Sequence, residues 1–393
     1  MNCVVGRMSG FELAALCLGE ALGALVEAAQ PMWVAAMLKD GAFSVTQVGW
    51  LASGELFSIA MGALAASIVG SQGAPLHTVV RAASLVAIAN AVAMFPSAWA
   101  VIIGRLLSGV GTGVVLARVI GVAARRTNAP RVLAIMQLPV TLFGSLVYFA
   151  SPLLATRYGP AGIFAILVVV ATVEAILAVI AAPGFSASAQ ASSRPRLYLP
   201  AAMFGCLAII NVNAAFTVIW TYIVLIGTGL GFSTGTIGNV LGLAALVGIV
   251  APLTASILGE RVGLIWPITC SLLVMGSVVF FLVHAPSPLL LGAYAAVFIV
   301  AASFYVPYAI TLLARVDRAG RLPSAAPVLF MIGGAVGPSL GSQLIDRSSL
   351  AIVASSLVAL GIVFFGAAFT LPSRSLTRSR HASAQARAST DSS

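Results

Sequence analysis

Residues 182–196 read APGFSASAQASSRPR, the longest polar segment inside the chain. Pro183-Gly184 cannot carry a helix onward, and the Ser, Ala, Gln and Arg that follow show no apolar periodicity, so the segment reads as a linker. On either side the character reverses. Apolar windows long enough to cross a hydrocarbon layer of about 30 Å fall at 13–35, 47–69, 78–96, 98–120, 131–155 and 161–182 before it. Six more follow, at 199–226, 236–258, 263–284, 287–313, 324–345 and 349–371. The third and fourth windows are parted by Phe95-Pro96-Ser97 alone, but one helix over both would far exceed a bilayer.

The expected fold is therefore an all-α membrane protein of twelve transmembrane helices in two six-helix bundles, 13–182 and 199–371. Residues 1–12 form a short N-terminus, 183–198 the linker, and 372–393 a Ser- and Arg-rich tail predicted to be disordered. Composition agrees. Of 393 residues 60% are hydrophobic and 8% charged, against roughly 25% charged in soluble domains. The N-terminal segment has no small-residue cleavage site ahead of the first window, which is expected to remain.

A net charge of +10 could suggest nucleic-acid binding, but the arginines sit between the apolar windows and not along one exposed element. They read as topology signals. With the N-terminus inside, sixteen fall on the inner side: Arg7, Arg81, Arg118, Arg125, Arg126, Arg131, Arg194, Arg196, Arg261, Arg315, Arg318, Arg321, Arg374, Arg378, Arg380 and Arg387. Lys39, Arg157 and Arg347 fall outside. This bias predicts both termini in the cytoplasm. One lysine against nineteen arginines matches high-GC bacterial coding, which makes a cell inner membrane the default location. Cys3, Cys17, Cys206 and Cys270 are scattered, without a CxxC pair or neighbouring histidines, and predict neither metal nor disulfide.

In the fourth window, Arg105-Leu-Leu-Ser-Gly109-Val-Gly111-Thr-Gly113 sets an intramembrane Arg ahead of glycines that permit close helix contact. With two six-span blocks joined by a linker, this RxxxGxG run resembles the major facilitator superfamily, and particularly its twelve-helix drug and metabolite exporters of bacteria. Gly333-Gly-Ala-Val-Gly337-Pro338-Ser-Leu-Gly341 is similar to the GxxxGPxxG pattern that those exporters carry in span five, but here it lies in span eleven. Span five has only Gly144 and Ser151-Pro152. The family's GxxxDRxGRR loop signature is reduced to Glu260-Arg261-Val-Gly263 after span eight, while the first half reads Gly70-Ser-Gln-Gly73. The resemblance implies that any charged inner gate rests on Glu260, Arg261 and Gly263.

An ionisable group within a bilayer costs a few kcal/mol on insertion scales, so each is a functional candidate. Glu20 and Glu27 share one face of span one, Glu55 lies in span two, Arg105 in span four and Glu174 in span six. Glu27, Glu55 and Arg105 lie at similar depth. The expected arrangement is proton exchange at Glu27 with Glu55 or Glu20, with Arg105 pairing to a carboxylate; a permanent Glu–Arg lock is the plainer alternative. Glu174, nearer the inner end, reads as scaffold. The second half offers stripes in place of charges: Asn213, Thr217 and Trp220 at i, i+4, i+7, and Tyr294, Phe298, Ala301, Tyr305 and Tyr308 in a window that Pro307 bends. Such a wall suits a bulky amphipathic solute.

The glycines at 109, 111, 113, 333, 337 and 341, with Pro338, read as helix-contact surfaces, because no GK[ST] follows to make a phosphate loop. No cofactor, ATP or nucleic acid is expected, and the chain is expected to act as a monomer. Every Asp lies in a loop or tail and the three histidines lie at span ends or beyond, which argues against an intramembrane enzyme. The expected function is proton-coupled efflux of a small molecule by alternating access. Uptake or facilitated diffusion of a sugar or organic acid, with Arg105 binding an anion, and a sensor that no longer transports are the alternatives.

Overall fold

A lipid-facing backbone must satisfy its polar groups within its own segment, and a helix does so whenever the apolar window is long enough. A computed structural model describes residues 10–68, 75–123, 129–181, 199–259, 261–316, 321–344 and 346–390, and among them the regular elements are all helices. The first block holds α1 (Gly10–Asp40), α2 (Val45–Ile68), α3 (Pro75–Ala93), α4 (Ala98–Ala123), α5 (Ala129–Tyr158) and α6 (Pro160–Ile180). The second holds α7 (Leu199–Trp220), α8 (Ile223–Gly229), α9 (Thr234–Val247), α10 (Val250–Leu258), α11 (Ile265–Val283), α12 (Pro288–Val316), α13 (Arg321–Gly341) and α14 (Arg347–Thr390).

Fourteen described helices make twelve crossings, because two windows are interrupted. The seventh breaks between α7 and α8 at Thr221-Tyr222, where Tyr222 turns its hydroxyl onto the Pro338 carbonyl at 2.6 Å. The eighth breaks between α9 and α10 at Gly248-Ile249, four residues ahead of Pro252, which has no N–H to return and whose ring excludes the carbonyl at i−4. The crossings join through tight turns. Gly159, at φ 59°, lets α5 reverse directly into α6, a conformation that a residue with a Cβ rarely adopts. The short Met94–Ser97 turn does the same for α3 and α4, closed by the Ser97 N–H on the Phe95 carbonyl at 2.7 Å.

Nine described helical segments are long and apolar enough to cross a membrane, and α3 and α13 add shorter apolar stretches. The remaining crossing is α1, whose apolarity is diluted by Glu12, Glu20 and Glu27 on buried or half-buried positions. In α14 the apolar crossing ends at Thr370, but the backbone stays helical to Thr390, where the sequence reading has a disordered tail from residue 372. That extension is Ser-rich but also holds four Ala and four Arg, good helix formers even without an apolar face.

The two blocks repeat one packing scheme. In the first, α1 packs on α5 and α6, α4 on α2 and α3, and α3 on α6. In the second, α7 packs on α13 and α14, α12 on α9 and α11, and α11 on α14. Numbered by crossing, these are the same partnerships shifted by six. Between blocks, α2 meets α13 and α5 meets α9, two contacts that exchange under the same shift. The chain is thus a structural repeat whose seam lies between equivalent faces.

Candidate functional site

Arg105 is the largest charged side chain in the interior, with no exposed surface, and the elements around it leave its guanidinium one set of partners. Its Nη2 forms an ion pair with Glu55 Oε1 on α2, itself fully buried. Its Nη1 donates to Asn90 Oδ1 on α3 at 2.7 Å. Asn90 is fixed in turn, donating to the Val86 carbonyl and to Ser108 Oγ, each at 2.8 Å. The guanidinium lies over the rings of Trp33 and Phe164, 5.3 and 5.0 Å from their centroids, so cation–π attraction replaces part of its lost hydration.

Close approach of α2 and α4 puts Glu55 at hand. A Cβ on Gly109 would stand 2.6 Å from the Glu55 carbonyl oxygen, one on Gly111 2.8 Å from the Ala82 carbonyl, and one on Gly113 2.7 Å from Ala63 N. The glycine run therefore seats α4 against the backbones of α2 and α3 at the level of the pair.

Glu27 is not part of that pair. It is half-buried and forms no ion pair among the described residues. Its carboxyl lies within electrostatic reach of the Tyr148 hydroxyl on α5 and the Tyr305 hydroxyl on α12, one from each half. Both tyrosines are almost fully buried, and neither hydroxyl has a hydrogen-bond partner. Glu20 lies two turns away on the same helix and accepts a hydrogen bond from Gln137 Nε2. Glu174 is fully buried with both oxygens unpartnered and faces the backbone at Gly19.

The halves are tied together across the seam. Ser53 Oγ accepts from Ser339 N at 2.8 Å, Ser145 Oγ donates to the Gly242 carbonyl at 2.8 Å, and Thr221 Oγ1 donates to Gln30 Oε1 at 2.9 Å. Tyr222 and Ser342 press on Gly49, and the Tyr148 carbonyl on Gly238. Gly49 and Ser342 lie close to the turns at 41–44 and 342–344, on the ends that carry Lys39, Arg157 and Arg347, whereas the Gln30–Thr221, Ser53–Ser339 and Ser145–Gly242 contacts lie deeper in the bundle. Glu27 stands one turn along α1 from the Gln30–Thr221 contact.

The second-half stripes divide. Trp220 is buried and meets Tyr148 edge-on across the seam, centroids 5.9 Å apart. Asn213 is half-buried with its Nδ2 unpartnered. Thr217, by contrast, is turned into the α7–α13 contact, donating to the Gly334 carbonyl at 2.9 Å, so helix packing and not a cavity wall uses it. That contact rests on the second glycine run: a Cβ at Gly333 would meet the Ile210 carbonyl at 2.5 Å, one at Gly337 the Ala214 carbonyl at 2.7 Å, and one at Gly341 the Tyr222 ring at 2.7 Å. Pro338 supplies the carbonyl held by Tyr222. Tyr305 packs edge-on against Phe330 and Phe365 within its own half, and Tyr308 packs on Phe304 at 5.3 Å; both hydroxyls are unpartnered. Glu260 and the 70–73 loop lie outside the described residues. Arg261 is exposed and Gly263 has φ 72° in the same turn, with no gate contact among the described residues.

Sequence reasoning missed Gln30, Asn90, Gln137 and Tyr148, all of which touch the site. The signal was available for three of them, since an Asn or Gln inside an apolar window seeks a helix–helix partner.

The family model described as Major Facilitator Superfamily matches residues 16–338, most of the chain. No curated protein matches it in sequence. Among solved structures, a D-xylose-proton symporter is similar with TM-score 0.71 at 15% identity, covering 91% of this chain and 97% of that one. The nucleoside transporter NupG gives 0.74 at 12%, covering 92% and 100%. The human organic anion transporter MFSD10 gives 0.67 at 14%, covering 91% and 98%. Matched along its length by the family model and along its fold by these transporters, the chain belongs to the Major Facilitator Superfamily.

Proposed function

We propose that this chain is a secondary active transporter that exports a small amphipathic molecule in exchange for protons by alternating access, with Glu27 as the acid that carries the proton. One observation carries the reading. Arg105 is occupied by Glu55, whereas Glu27, one turn from the Gln30–Thr221 contact between the halves, has no counter-ion among the described residues. A paired acid inside a membrane is a lock; an unpaired one in a seam between moving halves must be neutral, hydrated or bound to something positive in each state.

The arginine asymmetry orients the cycle: the ends that carry Lys39, Arg157 and Arg347 face outward, and both termini lie on the cytoplasmic side of a cell inner membrane. Substrate enters from the cytoplasm, the halves rock about the seam, and the serine and glycine contacts across the seam part. Glu260, Arg261 and Gly263 serve the opposite gate. One chain with its own seam suffices as a monomer. Purified protein in proteoliposomes, challenged with a solute library under an imposed pH gradient, tests this. A solute that moves protons through the protein is the expected result, and solute flux that ignores the gradient would overturn coupling.

A further inference from the structure

Three cations mark the ends of the crossings away from the arginine-rich side: Lys39, Arg157 and Arg347. Lys39 is exposed, and Arg157 lies over the Tyr158 ring at 5.4 Å. Arg347 is placed differently. Half-buried in the first turn of α14, it lines a cavity of about 460 Å³, a volume within the roughly 300–1,000 Å³ of small-molecule sites. Its Nη1 is shut off from water and has neither a hydrogen-bond partner nor a counter-ion among the described residues. Asp346, next in the chain, forms no ion pair with it; the Asp346 Oδ2 accepts from Ser349 N at 3.1 Å. A guanidinium N–H held from water without an acceptor costs free energy that a ligand oxygen would recover.

The rest of the wall selects the ligand. Tyr222 donates its hydroxyl proton to the Pro338 carbonyl at 2.6 Å, and Thr228 donates its own to the Leu225 carbonyl at 3.0 Å. Among the described side chains that line the cavity, the guanidinium is therefore the donor left over, and no acid faces it. Val45, Ile226 and Leu350 make the remainder apolar, which suits a carbon body better than a bare, strongly hydrated ion. Val45 belongs to the first half and the other lining residues to the second, so an occupant touches both. Neither Glu27 nor Arg105 lines the cavity.

We propose that this cavity binds a small organic anion, a carboxylate or phosphate monoester with a compact apolar body, its charge held by Arg347. The planar fork of a guanidinium matches paired oxygens on either group. The site stands apart from the proton-carrying acid, and its occupancy does not depend on the transport reading above. An anionic lipid headgroup presents the same chemistry, so the test separates a lipid from a soluble solute.

Benzoate and phenyl phosphate, set against benzylammonium and benzyl alcohol, share one ring and differ in charge. Their binding to purified protein is measured by titration calorimetry and by the rise in melting temperature that a ligand of the folded state produces. The wild type is compared with Arg347→Gln, Arg347→Lys, Val45→Phe and, as a control, Lys39→Gln. At least one of the two anions is expected to bind, and the cation and the alcohol to bind at least roughly tenfold more weakly. Arg347→Gln is expected to weaken the anion by roughly tenfold or more, Arg347→Lys by less because the charge stays and the fork is lost, and Lys39→Gln to change nothing. Val45→Phe, which fills the cavity from the opposite half and leaves the cation in place, should weaken it as well. Failure of both anions to bind the wild type, equal affinity for all four probes, or anion binding that survives Arg347→Gln would overturn the site. Undiminished binding in a folded Val45→Phe protein would do the same, and keeps the test decisive should Arg347→Gln fail to fold. In nanodiscs, displacement of the anion by phosphatidylglycerol but not by phosphatidylcholine would assign the site to a lipid headgroup, and equal binding in the two would assign it to a soluble anion.

Discussion

Arg105 keeps its proton at any physiological pH, and removing it leaves Glu55 as a buried acid whose partner is gone. Breaking a buried pair from one side costs about 3–5 kcal/mol, more than deleting both charges. Arg105→Ala is thus expected to lower the melting temperature in detergent markedly, and Glu55→Gln with Arg105→Gln to lower it less; strictly additive losses would sink the pairing. That Arg105 needs a carboxylate was legible in the sequence. Which one was not, since Glu27 and Glu55 lie on two helices at comparable depth, with Glu20 two turns along the first. The choice is made by backbone distance: Gly109 brings α4 against the carbonyl of Glu55 itself, whereas α1 is turned toward α5 and α6.

Small residues decide how near the elements come. At Gly113 a Cβ would meet the Ile59 carbonyl and Ala63 N, both backbone and unable to yield. Gly113→Ala is expected to destabilise by about 1–3 kcal/mol, the usual cost of overpacking, whereas Gly121→Ala, on the same helix with open space around it, is expected to be neutral or better. Equal melting temperatures for the two variants would contradict the close α2–α4 contact. The RxxxGxG spacing made the role of these glycines readable before any coordinates. The breaks at Thr221-Tyr222 and Gly248-Ile249 were not readable, because apolarity runs through both and the causes are tertiary or depend on one proline. Thr217 was misplaced for a related reason: a stripe at i, i+4, i+7 fixes a face but not what that face meets.

At the scale of the whole molecule, the contacts across the seam and the Arg asymmetry make independent demands. If the seam opens during transport, Ser53→Cys with Ser339→Cys, in a background free of native cysteines, should cross-link under oxidation and stop flux, and reduction should restore it. Unimpaired flux in the cross-linked protein would mean that this contact never parts. Topology is tested by a cysteine at position 192 in the linker, which should resist impermeant reagents in intact cells. The twelve crossings followed from apolar length alone, but where the halves touch required the contacts across the seam, Ser53 with Ser339 and Gln30 with Thr221.

The central claim is that Glu27 couples transport to protons, and Glu27→Gln in proteoliposomes tests it most directly, because the amide keeps the shape and cannot exchange a proton. With a solute identified on the wild type, uptake driven by a pH gradient and gradient-free exchange are measured side by side. The account predicts that the variant loses gradient-driven accumulation while the fold, followed by its melting temperature, remains. Full gradient-driven accumulation in Glu27→Gln would contradict it.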